Sequence, residues 1–168
     1  MTTRFSGFPA EGLHFLAGLE ANNNREWFNA HKDEYIQFVQ EPMAAFVAAL
    51  GPRLQAISPG IEYDTRTNGS GSMMRIYRDT RFSKDKTPYK TQVAAGFWEG
   101  TRKKMQNPVF GFQWGADGGE MMAGTHGFDK EMLESYHQAV DDDKRLVSRI
   151  IRHPGLSQNG GARTLETA

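Results

Sequence analysis

The chain has 168 residues, with 20 basic and 20 acidic side chains and no cysteine. This length suits one domain that buries about two-thirds of its unfolded surface, and 38% apolar with 24% charged residues is typical of soluble globular proteins. The balanced charge excludes a bulk attraction to nucleic acid or membranes, and the absence of cysteine excludes disulfides, thiolate catalysis and Cys-ligated metals.

The first third of the chain has helical spacing. Residues 12–21 carry apolar side chains in a pattern that predicts a short first helix. Asn23 with Glu26 three residues later resembles a capping box, so a second helix is expected from there to about residue 40. Pro42 lacks an N–H group and requires a kink or a new start, after which a third helix is predicted to about residue 58.

The middle of the chain changes to short strands. A turn with glycines at 116–119 predicts that residues 120–125 fold back on the preceding strand as a hairpin. Strands that follow one another without helices between them favour an antiparallel sheet. The predicted strands before the turn are 61–64, 73–82, 93–98 and 108–114.

The last part of the chain returns to helices. Asp129 is expected to cap one helix, and the acidic run 141–143 is expected to open another. Residues 155–168 are polar and glycine-rich, which predicts a loosely held tail. We therefore predict a single α+β domain over residues 1–154, with a central, mainly antiparallel sheet packed by N-terminal and C-terminal helices. Because no apolar run has signal-peptide or membrane-spanning length, we expect a cytoplasmic protein with no membrane partner.

The stretch 75–90 is the densest in functional groups. If two carboxylates neutralise two of its six cations, four positive charges need another partner or solvent. Guanidinium groups bind the oxygens of carboxylates and phosphates in pairs, so this surplus points to an anion site. The cations are Arg75, Arg78, Arg81, Lys84, Lys86 and Lys90, and the anions are Asp79 and Asp85.

A strand over 73–82 would sort these side chains onto two faces. One face would hold Arg75, Tyr77, Asp79 and Arg81, and the other would meet the core through Met74, Ile76 and Phe82 with Arg78 partly buried. Lys86, Tyr89 and Lys90 follow in a loop directed by Pro88 and would close over the bound anion. As a hypothesis, the chain binds a small phosphate- or carboxylate-bearing ligand through Arg75, Arg78, Arg81, Lys86 and Tyr89, while Asp79 orients the arginines.

Three other interpretations of the same residues stay open. Arginine and aspartate clusters often form internal ion-pair networks that hold a loop in place. The cations would also suit a nucleic-acid interaction module in which Tyr77 or Tyr89 stacks on a base. A third alternative is a hydrolase or transferase with Asp79 as base and the arginines stabilising developing charge.

The pattern Arg75-x-x-Arg78-Asp79-x-Arg81-Phe82, followed by Asp85-Lys86 and Tyr89, resembles the signature of domain-of-unknown-function family 2461. The block 23–28, with sequence Asn-Asn-Arg-Glu-Trp-Phe, is similar to that family too. The resemblance extends over most of residues 5–153 and implies a bacterial protein, since the family is found mainly in bacteria. It implies no activity, because the family has none established.

Weaker signals add one candidate. His126 follows the predicted hairpin and would serve as a proton donor or ligand contact if it lay near the cations. The other histidines lack the spacing of a metal site, so neither a metal nor a cofactor is expected. The Gly/Ser loop 68–72 precedes a strand and lacks the ending of a phosphate loop, so it is interpreted as a flexible connection.

Overall fold

The computed structural model describes residues 5–100, 102, 104–125 and 127–152. The chain divides into two compact units, Met1–His126 and Gly127–Ala168. The predicted tail at 155–168 lies outside the described residues. The extent of a single domain over 1–154 stays a prediction.

The first unit contains helices and a four-stranded antiparallel sheet of order β1-β2-β3-β4, which confirms the predicted α+β class. The predicted hairpin is also confirmed, because β3 pairs with β4 along its whole length. Its turn uses Gly118 at a φ of 113°, a conformation that side chains with a Cβ disfavour. The helices are α1 (Ala10–Ala21), α2 (Arg25–Ala30), α3 (Lys32–Tyr35) and α4 (Glu41–Ile57), and the strands are β1 (Ile61–Glu62), β2 (Gln92–Glu99), β3 (Val109–Gly115) and β4 (Gly118–Gly124).

The predicted helix from Asn23 to residue 40 is divided. Helices α2 and α3 are followed by a π-helical segment, Ile36–Gln40, which continues into α4. The wider turn brings the Glu41 N–H to the Ile36 carbonyl and lets the chain continue past Pro42, which lies in the first turn of α4. The segment also packs closely on α1, because a Cβ on Gly12 would overlap the Phe38 carbonyl.

The cap of α2 is Asn24, not the predicted Asn23. Asn24 Oδ1 accepts a hydrogen bond from Trp27 N at 2.9 Å. Asn23 instead pairs with the backbone of Tyr89, because its Nδ2 donates to Tyr89 O and its Oδ1 accepts from Tyr89 N, both at 3.0 Å. The turn between α1 and α2 is therefore attached to the chain at Tyr89.

The prediction of a regular strand over 73–82 is wrong. Only its first residues join the sheet, where Met74 N donates to Ala94 O at 2.8 Å. The chain then leaves β2 and pairs with a later segment, through Arg78 N to Pro88 O at 2.9 Å and Lys90 N to Ile76 O at 2.8 Å. We call residues 75–90 the basic arm. Its partner changes along the chain, so no single strand forms.

The core of the first unit lies between the helices and the sheet. Two stacked pairs of aromatic rings contribute to it: Phe8 stacks on Trp114 with ring centroids 4.4 Å apart, and Phe28 stacks on Tyr89 at 4.1 Å. The buried apolar side chains are Phe15, Leu16, Leu19, Phe28, Tyr35, Val39, Met43, Val47, Ile61, Met73, Ile76, Tyr89, Val93, Ala95, Phe97 and Trp114.

The second unit consists of α5 (Lys130–Asp142) and α6 (Lys144–Ile151) in its described part. The predicted cap of α5 is confirmed, because Asp129 Oδ1 accepts from Met132 N at 2.9 Å. The acidic run 141–143 was expected to open the next helix, but Asp141 and Asp142 belong to the last turn of α5, and Asp143 lies between α5 and α6. Among the helices of the described residues, none is both long and apolar enough to cross a membrane.

Candidate functional site

The basic arm keeps the predicted alternation for most of its length. Ile76 is buried and Arg78 is half-buried, as expected for the face that meets the core. Phe82 is the exception, because its side chain is 94% exposed. The arm has left the sheet before Phe82, so no core surface is opposite this ring. The predicted outer face is exposed at Arg75, Tyr77, Asp79 and Arg81.

The Arg78 side chain binds two residues from the later part of the basic arm. Its Nη1 donates to Asp85 Oδ2 and to Thr87 Oγ1. Asp85 Oδ1 accepts in turn from Thr87 N and Thr87 Oγ1, each at 2.9 Å. The hydrogen bonds from the Thr87 backbone and from Arg78 lower the pKa of Asp85 to about 2. This part of the arm matches the ion-pair interpretation.

The Asp79 carboxylate forms an ion pair with Arg81, and the charge of Arg75 also acts on it. Arg81 donates two hydrogen bonds to this carboxylate, from Nε to Oδ1 at 2.9 Å and from Nη2 to Oδ2 at 2.7 Å. These side-chain hydrogen bonds are the main reason that the pKa of Asp79 falls to about 2. Lys86 crosses the same loop and donates from Nζ to Thr80 O at 2.9 Å.

The two tyrosines of the arm lie side by side with different exposure. Tyr77 and Tyr89 form an antiparallel bridge, and their ring centroids are 5.4 Å apart. Tyr89 is 3% exposed because its ring lies on Phe28, whereas Tyr77 is 53% exposed. Burial raises the pKa of Tyr89. Its ring is therefore a core element and is not available for stacking on a base.

Arg75 lines a cleft of about 350 Å³ between the arm and the helices α2 and α3, which we call the Arg75 cleft. Arg75 and Lys32 are its two cations, and neither forms an ion pair in the part of the chain that the structure describes. Gly69, at a φ of 85°, lies against Arg75, and a Cβ there would be 3.0 Å from the arginine Cβ. The polar residues that line the cleft are Lys32, Tyr35, Gln40, Thr67, Asn68, Arg75 and Tyr77.

Sequence reasoning missed Lys32, Tyr35 and Asn68 as site residues. Tyr35 has the spacing of a core residue, and its ring is indeed 6% exposed. Burial, followed by the neighbouring Tyr77, raises the pKa of its phenol to about 12, so it stays protonated and able to donate at neutral pH. No local pattern signals this role, because the cleft is assembled from segments about 30 residues apart in the chain.

A second cleft of about 560 Å³ is lined by other residues of the arm, and we call it the Lys90 cleft. It contains two formal charges of each sign. Arg78 and Asp85 bind each other, whereas Glu20 and Lys90 form no ion pair among the described residues. Burial and the nearby Arg75 lower the pKa of Lys90. Gln92 and Gln113 add a pair of amides, linked by a hydrogen bond from Gln113 Nε2 to Gln92 Oε1.

The five predicted ligand-binding residues therefore occupy three places. Arg75 lines its own cleft, Arg78 and Tyr89 line the Lys90 cleft, and Arg81 and Lys86 lie on the exposed loop between. His126, the other catalytic candidate, lies outside the described residues. Among the residues that are described, no three His, Asp or Glu side chains group into a metal site.

A comparison with protein families supports the resemblance noted in the sequence. A model of conserved hypothetical proteins, DUF2461, matches residues 11–167 of the chain. The chain belongs to this family. The match extends through the arm and both clefts, so the resemblance of the DUF2461 signature is confirmed over nearly the whole length. No curated protein and no solved structure matches the chain.

Proposed function

We propose that this DUF2461 protein binds a small anionic ligand, with a phosphate or carboxylate group, in the Arg75 cleft. The observation that carries the proposal is the sign of the charges around the cleft. Arg75 and Lys32 both line it, and no carboxylate is among the lining residues. Its volume of about 350 Å³ lies within the usual range of small-molecule sites, roughly 300–1,000 Å³.

The neutral groups of the cleft suit the same ligand. Tyr35 and Tyr77 present phenols, which donate hydrogen bonds to anion oxygens. Asn68 Oδ1 already accepts from Ser70 N at 3.0 Å, which orients the side chain and leaves its amide hydrogens as donors. Fixed donors and a guanidinium fork together favour a planar or tetrahedral oxyanion over a single point charge.

The test is binding of inorganic phosphate and succinate, measured by calorimetry and by the shift of the thermal unfolding midpoint. Arg75→Gln removes the guanidinium and should abolish the shift. Tyr35→Phe removes one hydroxyl and should weaken binding about tenfold or more, because a hydrogen bond to a charged group contributes about 1.5–3 kcal/mol.

Arg81→Gln is the matched control, since it removes the same charge from the exposed loop outside the cleft. It should leave the anion affinity within about twofold of the parent, the range expected for a surface change. Equal loss in Arg75→Gln and Arg81→Gln, or no binding of either anion by the parent protein, contradicts the proposal. The structural-network interpretation would then account for the arm.

The position of Asp79 argues against the alternative of a base catalyst. The Asp79 carboxylate has a pKa of about 2 and accepts hydrogen bonds from Arg81. Such a carboxylate is a poor acceptor of protons near neutral pH. Asp79 is not among the residues that line either cleft. We therefore assign it the role of holding Arg81 and the loop.

Nucleic-acid binding is the second candidate, and the exposed Phe82 favours it. Its ring has the Arg81 guanidinium carbon 5.7 Å from the centroid, and Lys84 and Lys86 follow within four residues. An exposed ring with neighbouring cations is the arrangement on which single-stranded bases stack. Tyr77, also exposed, remains available for the same role.

Fluorescence anisotropy with a labelled oligothymidine measures this second candidate. Binding should weaken steeply with added salt, and Phe82→Ala should cost about 1–3 kcal/mol, the usual contribution of one stacked base. Arg75→Gln should have little effect on the oligonucleotide. A salt-independent affinity, or none at micromolar protein, contradicts this candidate and leaves the Arg75 cleft unaffected.

A further inference from the structure

The Lys90 cleft differs from the Arg75 cleft in the sign of its charges. Its lining contains Glu20 and Asp85 as well as Arg78 and Lys90. Arg78 and Asp85 neutralise each other through a direct hydrogen bond. The two charges that are left, Glu20 and Lys90, are opposite in sign and belong to no ion pair among the described residues.

The backbone holds these two residues in a defined relation. Glu20 lies in the last turn of α1, and Asn23 in the following turn binds both backbone groups of Tyr89. Lys90 is next along the chain, and its N–H donates to Ile76 O at 2.8 Å. The two side chains therefore line the cleft from two segments that the Asn23–Tyr89 hydrogen bonds hold together.

We infer that the Lys90 cleft is a second binding site, for a zwitterion such as a free amino acid or a short peptide. The ligand carboxylate is placed at Lys90 and its ammonium group at Glu20. The cleft of about 560 Å³ is large enough for such a molecule and lies within the usual range for small ligands.

The remaining lining residues complete the donor and acceptor set that a peptide unit requires. Gln113 donates one amide hydrogen to Gln92, which leaves the Gln92 amide hydrogens and the Gln113 oxygen for a ligand. Thr91 adds a hydroxyl beside them. The Lys90 side chain is exposed, but partial desolvation and then the nearby Arg75 lower its pKa, and a bound carboxylate would favour its ammonium form.

A simple anion fits this cleft less well than a zwitterion does. An anion at Lys90 would lie in a site that also holds Glu20, whose like charge disfavours it. A simple cation at Glu20 would meet the same difficulty with Lys90. A ligand that carries both charges satisfies both residues.

The experiment compares dialanine with two capped analogues, N-acetyl-dialanine and dialanine amide, by calorimetry on the whole chain. We expect dialanine to bind and each cap to reduce its affinity at least tenfold, because each removes one charge. Equal binding of the three molecules, or no binding of dialanine at millimolar concentration, overturns the inference.

Charge reversal tests the two residues directly. Glu20→Lys and Lys90→Glu should each abolish dialanine binding, whereas the double variant should recover it, since the ligand can then bind in the reverse direction. Lys84→Glu, on the exposed loop and outside the cleft lining, is the matched control and should bind as the parent does. A double variant that folds but does not bind contradicts the assignment.

One further variant separates this site from the proposed anion site. Arg75→Gln should lose phosphate binding and keep dialanine binding. If phosphate fails to bind any variant while dialanine binds as described, the proposed function is wrong and the zwitterion site stands. If Arg75→Gln loses both ligands, one shared site exists and the inference is wrong.

Discussion

At the scale of single residues, one glycine packs closely against Arg75. Gly69 has a positive φ and its hydrogen faces the Arg75 side chain, so there is no space for a methyl group without movement. This contact joins the loop 68–72 to the basic arm. That loop was interpreted from sequence as a flexible connection, but it is closed by hydrogen bonds from Ser70 to Asn68 and from Ser72 N to Asp64 O.

We predict that Gly69→Ala destabilises the protein and also weakens anion binding. The positive φ costs about 1 kcal/mol or somewhat more with a Cβ present. Gly118→Ala is the control, because Gly118 has a φ of 113° and nothing within 4 Å of a Cβ. Both variants should unfold at lower urea concentration, but only Gly69→Ala should change the phosphate affinity. An unchanged affinity in Gly69→Ala would show that Arg75 does not depend on this contact.

The second residue-scale prediction concerns the acid titration of the arm. Asp79 should titrate near pH 2, below its usual 3.8, because Arg81 donates hydrogen bonds to it. The folded-state pKa is the lower one, so the stabilisation by this pair is complete above about pH 4 and is lost as the pH falls towards 2. The contribution is small, since both side chains are exposed.

Carboxyl-detected NMR measures this titration. Arg81→Gln should return the pKa of Asp79 towards 3.8 and leave Asp85 near 2, because Asp85 is held by Thr87 and Arg78. A parallel rise at both carboxylates would mean that the loop opens as a whole, which contradicts two independent ion pairs.

At the scale of elements, three consecutive asparagines have three different roles. Asn23 binds the backbone of Tyr89, Asn24 caps α2, and Asn22 donates to the local Gly18 carbonyl. The sequence pattern favoured a cap within this run but did not distinguish its members. The partner of Asn23 is 66 residues away, which no local pattern indicates.

We predict a graded loss of stability when each asparagine is replaced by alanine. Asn23→Ala leaves two partly buried backbone groups of Tyr89 without partners and should cost about 1–3 kcal/mol. Asn24→Ala should cost about 1 kcal/mol, the usual value of a helix cap. Asn22→Ala, the exposed control, should change stability by less than about 0.5 kcal/mol. Equal losses in urea unfolding would contradict the separate roles.

At the scale of the whole molecule, the strands of the sheet differ in their protection from solvent, because β2 lies inside the sheet and β4 forms one of its edges. Strand β2 is paired on both sides and carries the buried Val93, Ala95 and Phe97, whereas every residue of β4 is exposed. In hydrogen exchange, the amides of β2 should be the slowest, near the rate set by global unfolding. The β4 amides that point away from β3 should exchange faster by several orders of magnitude. Equal protection of the two strands would mean that something covers β4.

The α+β class, the hairpin and the cap at Asp129 could be predicted because their signals are local. Apolar periodicity, glycine at a turn and an N-cap residue act within a few residues of the chain. The irregular path of residues 73–82 could not be predicted, because the pairing of this segment changes from β2 to residues 88–90 partway along. Phe82 was expected in the core for the same reason.

The amino-acid sequence by itself determined the helical first third, the antiparallel sheet and the concentration of charge at 75–90, since each depends on neighbouring residues. Only the tertiary structure decided which of those charges bind one another and which face open space. Arg78 and Arg81 bind carboxylates of their own loop. Arg75 instead lines a cleft together with residues of α3, and Lys90 lines another cleft together with Glu20 of α1. Burial and distance in three dimensions set the strength of a charge interaction, so its outcome follows from the fold and not from spacing along the chain.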